Sequence, residues 1–181
     1  MSLSWLPNAI SLLRIGLVAP ILWLMLKGRH DIALILFIVA GFSDGVDGYL
    51  AKRFNWHTRA GALLDPTADK LLIAGTFVTL GVTGHLPMWL PAIVVLRDVV
   101  IFGGAMAYNF LVRPVTGDPT RISKLNTAFE LSLVLFVLSR AGFGWPDQIS
   151  ITILGAAVLV TVVISGIDYV RAWTGRILGK E

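Results

Sequence analysis

Apolar stretches of about 20 residues alternate with short polar or breaker-rich connections along the whole chain, and there are six of them. A helix of that length crosses a hydrocarbon core of roughly 30 Å. The pattern predicts membrane-spanning helices near 8–27, 31–52, 61–83, 88–112, 121–141 and 148–173. The connections carry turn signals: Lys27-Gly28-Arg29-His30, Phe54-Asn55-Trp56-His57, Gly84-His85-Leu86-Pro87, Gly117-Asp118-Pro119 and Gly144-Trp145-Pro146. No internal repeat, low-complexity run or soluble appendage interrupts the alternation. The expectation is an all-α polytopic membrane protein with six transmembrane helices, forming one domain over residues 1–181.

Composition agrees with that reading. The 181 residues are 56% hydrophobic and only 14% charged, with a mean hydropathy of +0.79. A soluble domain carries roughly 25% charged residues. There is no Cys, so disulfides are excluded, and the three histidines, His30, His57 and His85, lie far apart in sequence. Neither thiolates nor clustered imidazoles are therefore on hand for a transition-metal site. Trp5, Trp23, Trp56, Trp89, Trp145 and Trp173 mostly fall near span ends, as an interfacial aromatic belt requires.

The formal net charge of +4 matters less than its distribution. Lys52, Arg53 and Arg59 sit in or beside the second connection, Arg113, Arg121 and Lys124 flank the fourth, and Arg171, Arg176 and Lys180 follow the last span. Lys27, Arg29 and Arg140 lie on the other side. Nine basic residues against three predict that both termini are cytoplasmic, together with the loop between the second and third spans. The first residues, Met1 to Pro7, carry no basic n-region and precede no small-residue cleavage site, so no removable signal peptide is expected. The compact chain lacks an Arg- and Ser-rich transit segment, which favours a bacterial inner membrane over a mature mitochondrial inner-membrane form.

Against this apolar background four carboxylates stand out. Asp44, Asp47, Asp65 and Asp69 follow the spacing Asp-x2-Asp-Gly-x2-Ala-Lys-x8-Gly-x3-Asp-x3-Asp. An Asp at the bilayer centre costs about 2.5–3.5 kcal/mol on insertion scales, so the group needs a compensating partner. Divalent metal fits, because hard cations take carboxylate oxygens and four negative charges balance two such ions. Asp44 and Asp47 share one helix face, where Gly48 and Ala51 keep the remaining positions small. Gly61, Asp65 and Asp69 step by four along the next helix. The two stripes can face one another across a cleft opening to the cytoplasm. Glycine at Gly48 and Gly61 lets a phosphorylated ligand approach the backbone, and Lys52, Arg53 and Arg59 supply positive charge at the rim.

This motif resembles the signature of the CDP-alcohol phosphotransferase family, integral membrane enzymes of phospholipid synthesis. Every fixed position matches except one: Lys52 stands where the family has Arg, with Arg53 beside it. Lysine keeps the charge but not the bidentate fork. The resemblance implies six transmembrane helices, a homodimer and two divalent cations, magnesium or manganese. By position it makes Asp44, Asp47 and Asp65 metal ligands, and Asp69 both a metal contact and the catalytic general base. It lines the CDP site with Asp44, Gly48, Ala51, Lys52, Gly61 and Asp65. The implied chemistry is attack by an alcohol on the β-phosphorus of a CDP-alcohol, with release of CMP.

The acceptor alcohol is written in the second half. Arg97-Asp98-Val99 in the fourth span and Ile122-Ser123-Lys124-Leu125-Asn126-Thr127 opening the fifth resemble the cardiolipin synthases of this family. The opening segment, Leu6 to Arg14, is shared with phosphatidylglycerophosphate synthases. Arg97, Arg121, Lys124 and Asn126 are the candidates for the acceptor phosphate, with CDP-diacylglycerol as donor and phosphatidylglycerol as acceptor. Glycerol 3-phosphate is the alternative acceptor. A purely structural account also exists: a buried Arg97 could pair with Asp168, Glu130 or a motif aspartate, and Arg121 and Lys124 could be topological anchors. A divalent-cation transporter is the remaining class, since intramembrane acids line ion pathways. The clustering of the acids near glycines and basic residues, and the lack of an inverted repeat, speak against it. No feature points to nucleic acid.

Overall fold

The computed structural model describes residues 6–54, 61–111 and 121–177, with side chains described at 9–46, 53–54, 67–101, 103–104, 122–169 and 171. The regular elements among them are six α-helices: α1 Leu6–Leu26, α2 His30–Phe54, α3 Gly61–Val82, α4 Trp89–Leu111, α5 Arg121–Phe143 and α6 Gln148–Ile177. Each expected apolar stretch is one helix, with ends within two residues of expectation except in α6, which continues to Ile177. Ala9–Leu26, Ile122–Phe143 and Gln148–Tyr169 are long and apolar enough to cross a membrane. α2, α3 and α4 have similar lengths.

α1 packs on α2 and α3, α5 on α2 and α6, and α4 on α3 and α6. The buried core runs along these contacts through Ile21, Met25, Phe37, Phe77, Leu80, Val94, Leu133, Leu138 and Val158. Large apolar side chains also face outward, among them Leu13, Phe42, Val99 and Ile149. A soluble monomer rarely exposes so much contiguous apolar surface. α2 and α5 approach so closely that a Cβ added to Gly142 would lie 2.8 Å from the Asp31 backbone nitrogen. The C-terminal end of α5 is thereby held against the N-terminal end of α2.

Short connections close the end of the bundle where α1 gives way to α2, α3 to α4 and α5 to α6. Gly28 and Gly84 adopt φ values of 74° and 76°, a left-handed conformation that costs other L-residues roughly 1–2 kcal/mol. Each lets the chain fold back on the last carbonyls: the Arg29 N–H donates to Leu24 (2.9 Å), and the His85 N–H donates to Leu80 (2.9 Å). His30 and His85, expected at connections, meet here edge to face with ring centroids 4.5 Å apart. His57 and the turn at Gly117-Asp118-Pro119 lie outside the described residues.

α6 is started by Asp147, whose Oδ1 accepts from the Ser150 backbone N–H (3.3 Å) and from the Ser150 hydroxyl. This satisfies an N–H that would otherwise be orphaned at the helix start. The Ser150 hydroxyl, helped by its backbone N–H, holds the Asp147 carboxyl below the ordinary value of 3.8. A carboxylate with a lowered folded-state pKa stabilises the fold above its unfolded value, and the contribution fades as pH falls through the folded value. Asp147→Ala should therefore lower the unfolding temperature in detergent at neutral pH. The gap from the parent should close as the pH is taken below 3.8. An equal gap at all pH values would exclude the carboxylate as its source.

Candidate active site

Arg14 of α1 organises the acidic motif. None of its side chain is exposed, and one guanidinium nitrogen, Nη1, lies 2.6 Å from Asp44 Oδ1 of α2 and 2.6 Å from Asp69 Oδ1 of α3. The two carboxylate oxygens are therefore no further apart than twice that distance. Both aspartates keep 43% of the side chain exposed. Each carboxylate is gripped from the core side by a buried cation and open on the other. Such an arrangement places negative charge where a ligand can reach it, at a geometry the ligand need not create.

Asp44 and Asp69 thus come together as the spacing implied. Asp47 lies one turn beyond Asp44, and Asp65 one turn before Asp69, both within helical backbone. Their side chains, like those of Gly48, Ala51, Lys52, Gly61 and Arg121, lie outside the described residues, as does Arg59 altogether. Arg53 is described, and it is exposed. No group of three or more metal-capable side chains forms among the described residues.

A second set of charges begins at the very next residue. Lys70 of α3 donates to Asp98 Oδ1 of α4 at 2.6 Å, and Arg97 Nη1 shares the same oxygen at 2.7 Å. Arg97 Nη2 donates to Ser123 of α5 (2.9 Å) and to Ser165 of α6 (2.5 Å). Arg97 is buried, and among the described residues its salt bridge runs to its sequence neighbour rather than to Asp168, Glu130, Asp44 or Asp69. Its long side chain can curl back to i+1, which sequence spacing does not reveal. The fourth- and fifth-span segments expected to recognise the acceptor are in direct contact through Arg97 and Ser123.

Lys124 is exposed. Asn126 is fully buried, donating to Glu130 Oε1 (2.6 Å) and accepting from the Thr161 hydroxyl (2.9 Å). Both ends of its amide are engaged between α5 and α6. Sequence reasoning passed over Arg14 and Lys70 as site residues. The available signal was electrostatic: a cation inside an apolar span has to find an anion at its own depth.

Similarities to known proteins bear on this site. A profile described as CDP-alcohol phosphatidyltransferase matches residues 4–164. "Cardiolipin synthase (CMP-forming)" of Homo sapiens is 31% identical over 180 residues, taking in 91% of this chain and 60% of that protein. The "Probable phosphatidylglycerophosphate synthase" of Mycobacterium tuberculosis is 31% identical over 173 residues, covering 91% of this chain and 79% of its own. "CDP-diacylglycerol--glycerol-3-phosphate 3-phosphatidyltransferase" of Rickettsia typhi is 29% identical over 174 residues, covering 92% and 96%. The chain spans about three fifths of the length of the human relative.

Removing the central cation tests its structural role. Arg14→Gln should destabilise the fold by about 2–3 kcal/mol, because two carboxylates would then converge without a countercharge. Thermal unfolding in detergent measures this, and Arg14→Lys should restore part of the loss. Equal stability of Arg14→Gln and the parent would show that the pair of ion pairs contributes nothing net.

Proposed function

Because the chain belongs to the CDP-alcohol phosphatidyltransferase family, we propose that it transfers a phosphatidyl group from CDP-diacylglycerol to the hydroxyl of phosphatidylglycerol, giving cardiolipin and CMP. The observation that carries the proposal is the convergence of Asp44 and Asp69 on Arg14, with partly exposed carboxylates on the side away from it. The acceptor assignment is supported by the contact between Arg97 and Ser123, which joins the two segments that resemble cardiolipin synthases. In this reading one domain of six spans lies in a bacterial inner membrane as a homodimer, with both termini and the aspartate cluster on the cytoplasmic side.

Asp44, Asp47, Asp65 and Asp69 would hold two divalent cations, magnesium or manganese. The two described members fit such ions, since they offer hard oxygen donors held close together on side chains that stay partly exposed. When bound, the ions neutralise the diphosphate and stabilise the leaving CMP. Gly48, Ala51, Lys52 and Gly61 line the CDP site beside Asp44 and Asp65, and the small residues leave room for the nucleotide. The acceptor oxygen forms a bond to the β-phosphorus. The bond from that phosphorus to the CMP oxygen breaks, and CMP departs with the electron pair. The hydroxyl proton passes to Asp69, which Arg14 holds in a fixed orientation. Arg97, Arg121 and Lys124 meet the acceptor phosphate, and Asn126 keeps α5 and α6 in register behind them.

Phosphatidylglycerophosphate synthase, using glycerol 3-phosphate, is the second reading, favoured by the names of the Mycobacterium and Rickettsia relatives. Purified protein with CDP-diacylglycerol and magnesium or manganese should form cardiolipin when given phosphatidylglycerol and no lipid product when given glycerol 3-phosphate, as read by mass spectrometry. Phosphatidylglycerophosphate in the second tube alone would move the protein to the other reading. Absence of both products and of CMP would sink the acceptor assignment and bring cation transport back into consideration. Asp69→Asn should retain CDP-diacylglycerol binding and lose turnover by about 10²–10⁴-fold, and normal turnover would exclude Asp69 as the base.

A further inference from the structure

A groove of about 500 Å³ runs between α4 and α6, with Arg97 in its wall. Leu96 and Val100 of α4 and Val163 and Ile167 of α6 line it, and all four are exposed at the protein surface. On α6, Val163, Ile167 and Arg171 recur every four residues, so one helix face leads from apolar wall to exposed cation. Among the described residues the groove has two charged residues in its lining, and both are arginines: Arg97 in the wall and Arg171 at one end.

The charge balance here is open. Among the described residues Arg171 forms no salt bridge, and Arg97 shares the single carboxylate of Asp98 with Lys70. Arg97 is only 6% exposed, and its Nε has no hydrogen-bond partner among the described residues. A buried guanidinium N–H without a partner is costly, so the groove wall holds a cation whose donors are not all used. Glu130 stands behind Asp98 within the bundle and does not line the groove. An apolar trough flanked by arginines matches a molecule with an acyl chain and an anionic phosphodiester.

We infer that the α4–α6 groove is the seat of the acceptor phospholipid, which arrives sideways from the membrane, lays an acyl chain along Leu96, Val100, Val163 and Ile167, and places its phosphodiester between Arg171 and Arg97. The inference rests on the proposal that the acceptor is phosphatidylglycerol. It assigns Arg171 a role that the motif does not, and it makes acyl-chain length a determinant of acceptor use but not of donor use. A soluble phosphorylated alcohol would need no such trough.

Gly166 supplies the test. It lines the groove, and a Cβ built there meets nothing within 4 Å, so a side chain at this position has room to start into the groove. Gly166→Phe should raise KM for dioleoyl phosphatidylglycerol by about tenfold, with the KM for CDP-diacylglycerol and the unfolding temperature unchanged. A dihexanoyl acceptor, too short to depend on the trough, should be used equally by variant and parent. Arg171→Gln should raise KM for both acceptors by about fivefold, with Arg171→Lys recovering part of the loss. An unchanged KM for the long-chain acceptor in Gly166→Phe, or a shift in the donor's KM instead, would overturn the groove assignment while leaving cardiolipin synthesis intact. A parent enzyme that uses glycerol 3-phosphate and ignores phosphatidylglycerol would sink the acceptor reading itself, and the groove assignment with it.

Discussion

A guanidinium with none of its side chain exposed can sit among apolar helices only where carboxylates come to meet it, and Arg14 draws one from each of two neighbouring helices. From that point charged and hydroxyl groups connect the rest of the bundle. Asp69 and Lys70 are adjacent on α3 but turn to different neighbours, one to α1 and the other to Asp98 on α4. Arg97, next to Asp98, reaches Ser123 of α5 and Ser165 of α6. All six helices therefore take part in polar contacts, in two sets that come to adjacent residues of α3. Apolar packing alone, against lipid as apolar as the helices themselves, would not fix their rotation or depth so tightly.

The same contacts bring two kinds of chemistry into register. The face of α3 that carries Asp69 belongs to the acidic motif of α1, α2 and α3. The face that carries Lys70 belongs to the basic cluster of α3, α4, α5 and α6. Neighbouring residues on a helix are about 100° apart, so one short stretch serves two sites without either side chain crowding the other.

Much of this was legible in the sequence. Apolar length located the helices because six runs near the span of a bilayer leave little freedom in where each begins, and the glycines at the connections marked the ends. The aspartate spacing located the acidic face, because i, i+3 and i, i+4 neighbours must share a side of a helix. The partners of those acids were harder to read. Of fifteen basic residues, twelve lie in or beside the connections and at the chain end, where their topological role is plain. The other three, Arg14, Lys70 and Arg97, are inside the helices, and each is salt-bridged to an aspartate. Their burial marks them as paired, but which acid each would choose depends on helix rotation and on how a long side chain bends. Arg97 found its own neighbour, a pairing that side-chain spacing on a helix would not suggest.

The order of these residues along the chain bears on how the protein is made. In each of the pairs Arg14–Asp44, Arg14–Asp69, Lys70–Asp98 and Arg97–Asp98 the cation precedes the carboxylate. Synthesis runs from the N-terminus, so each of these acids emerges from the ribosome when its countercharge has already been made. The first helix, apolar enough to enter a bilayer unaided, carries Arg14 ahead of the two acidic helices that depend on it. Biogenesis and architecture follow the same sequence of events: the charge that is easiest to deliver arrives first, and the helices that need it assemble around it.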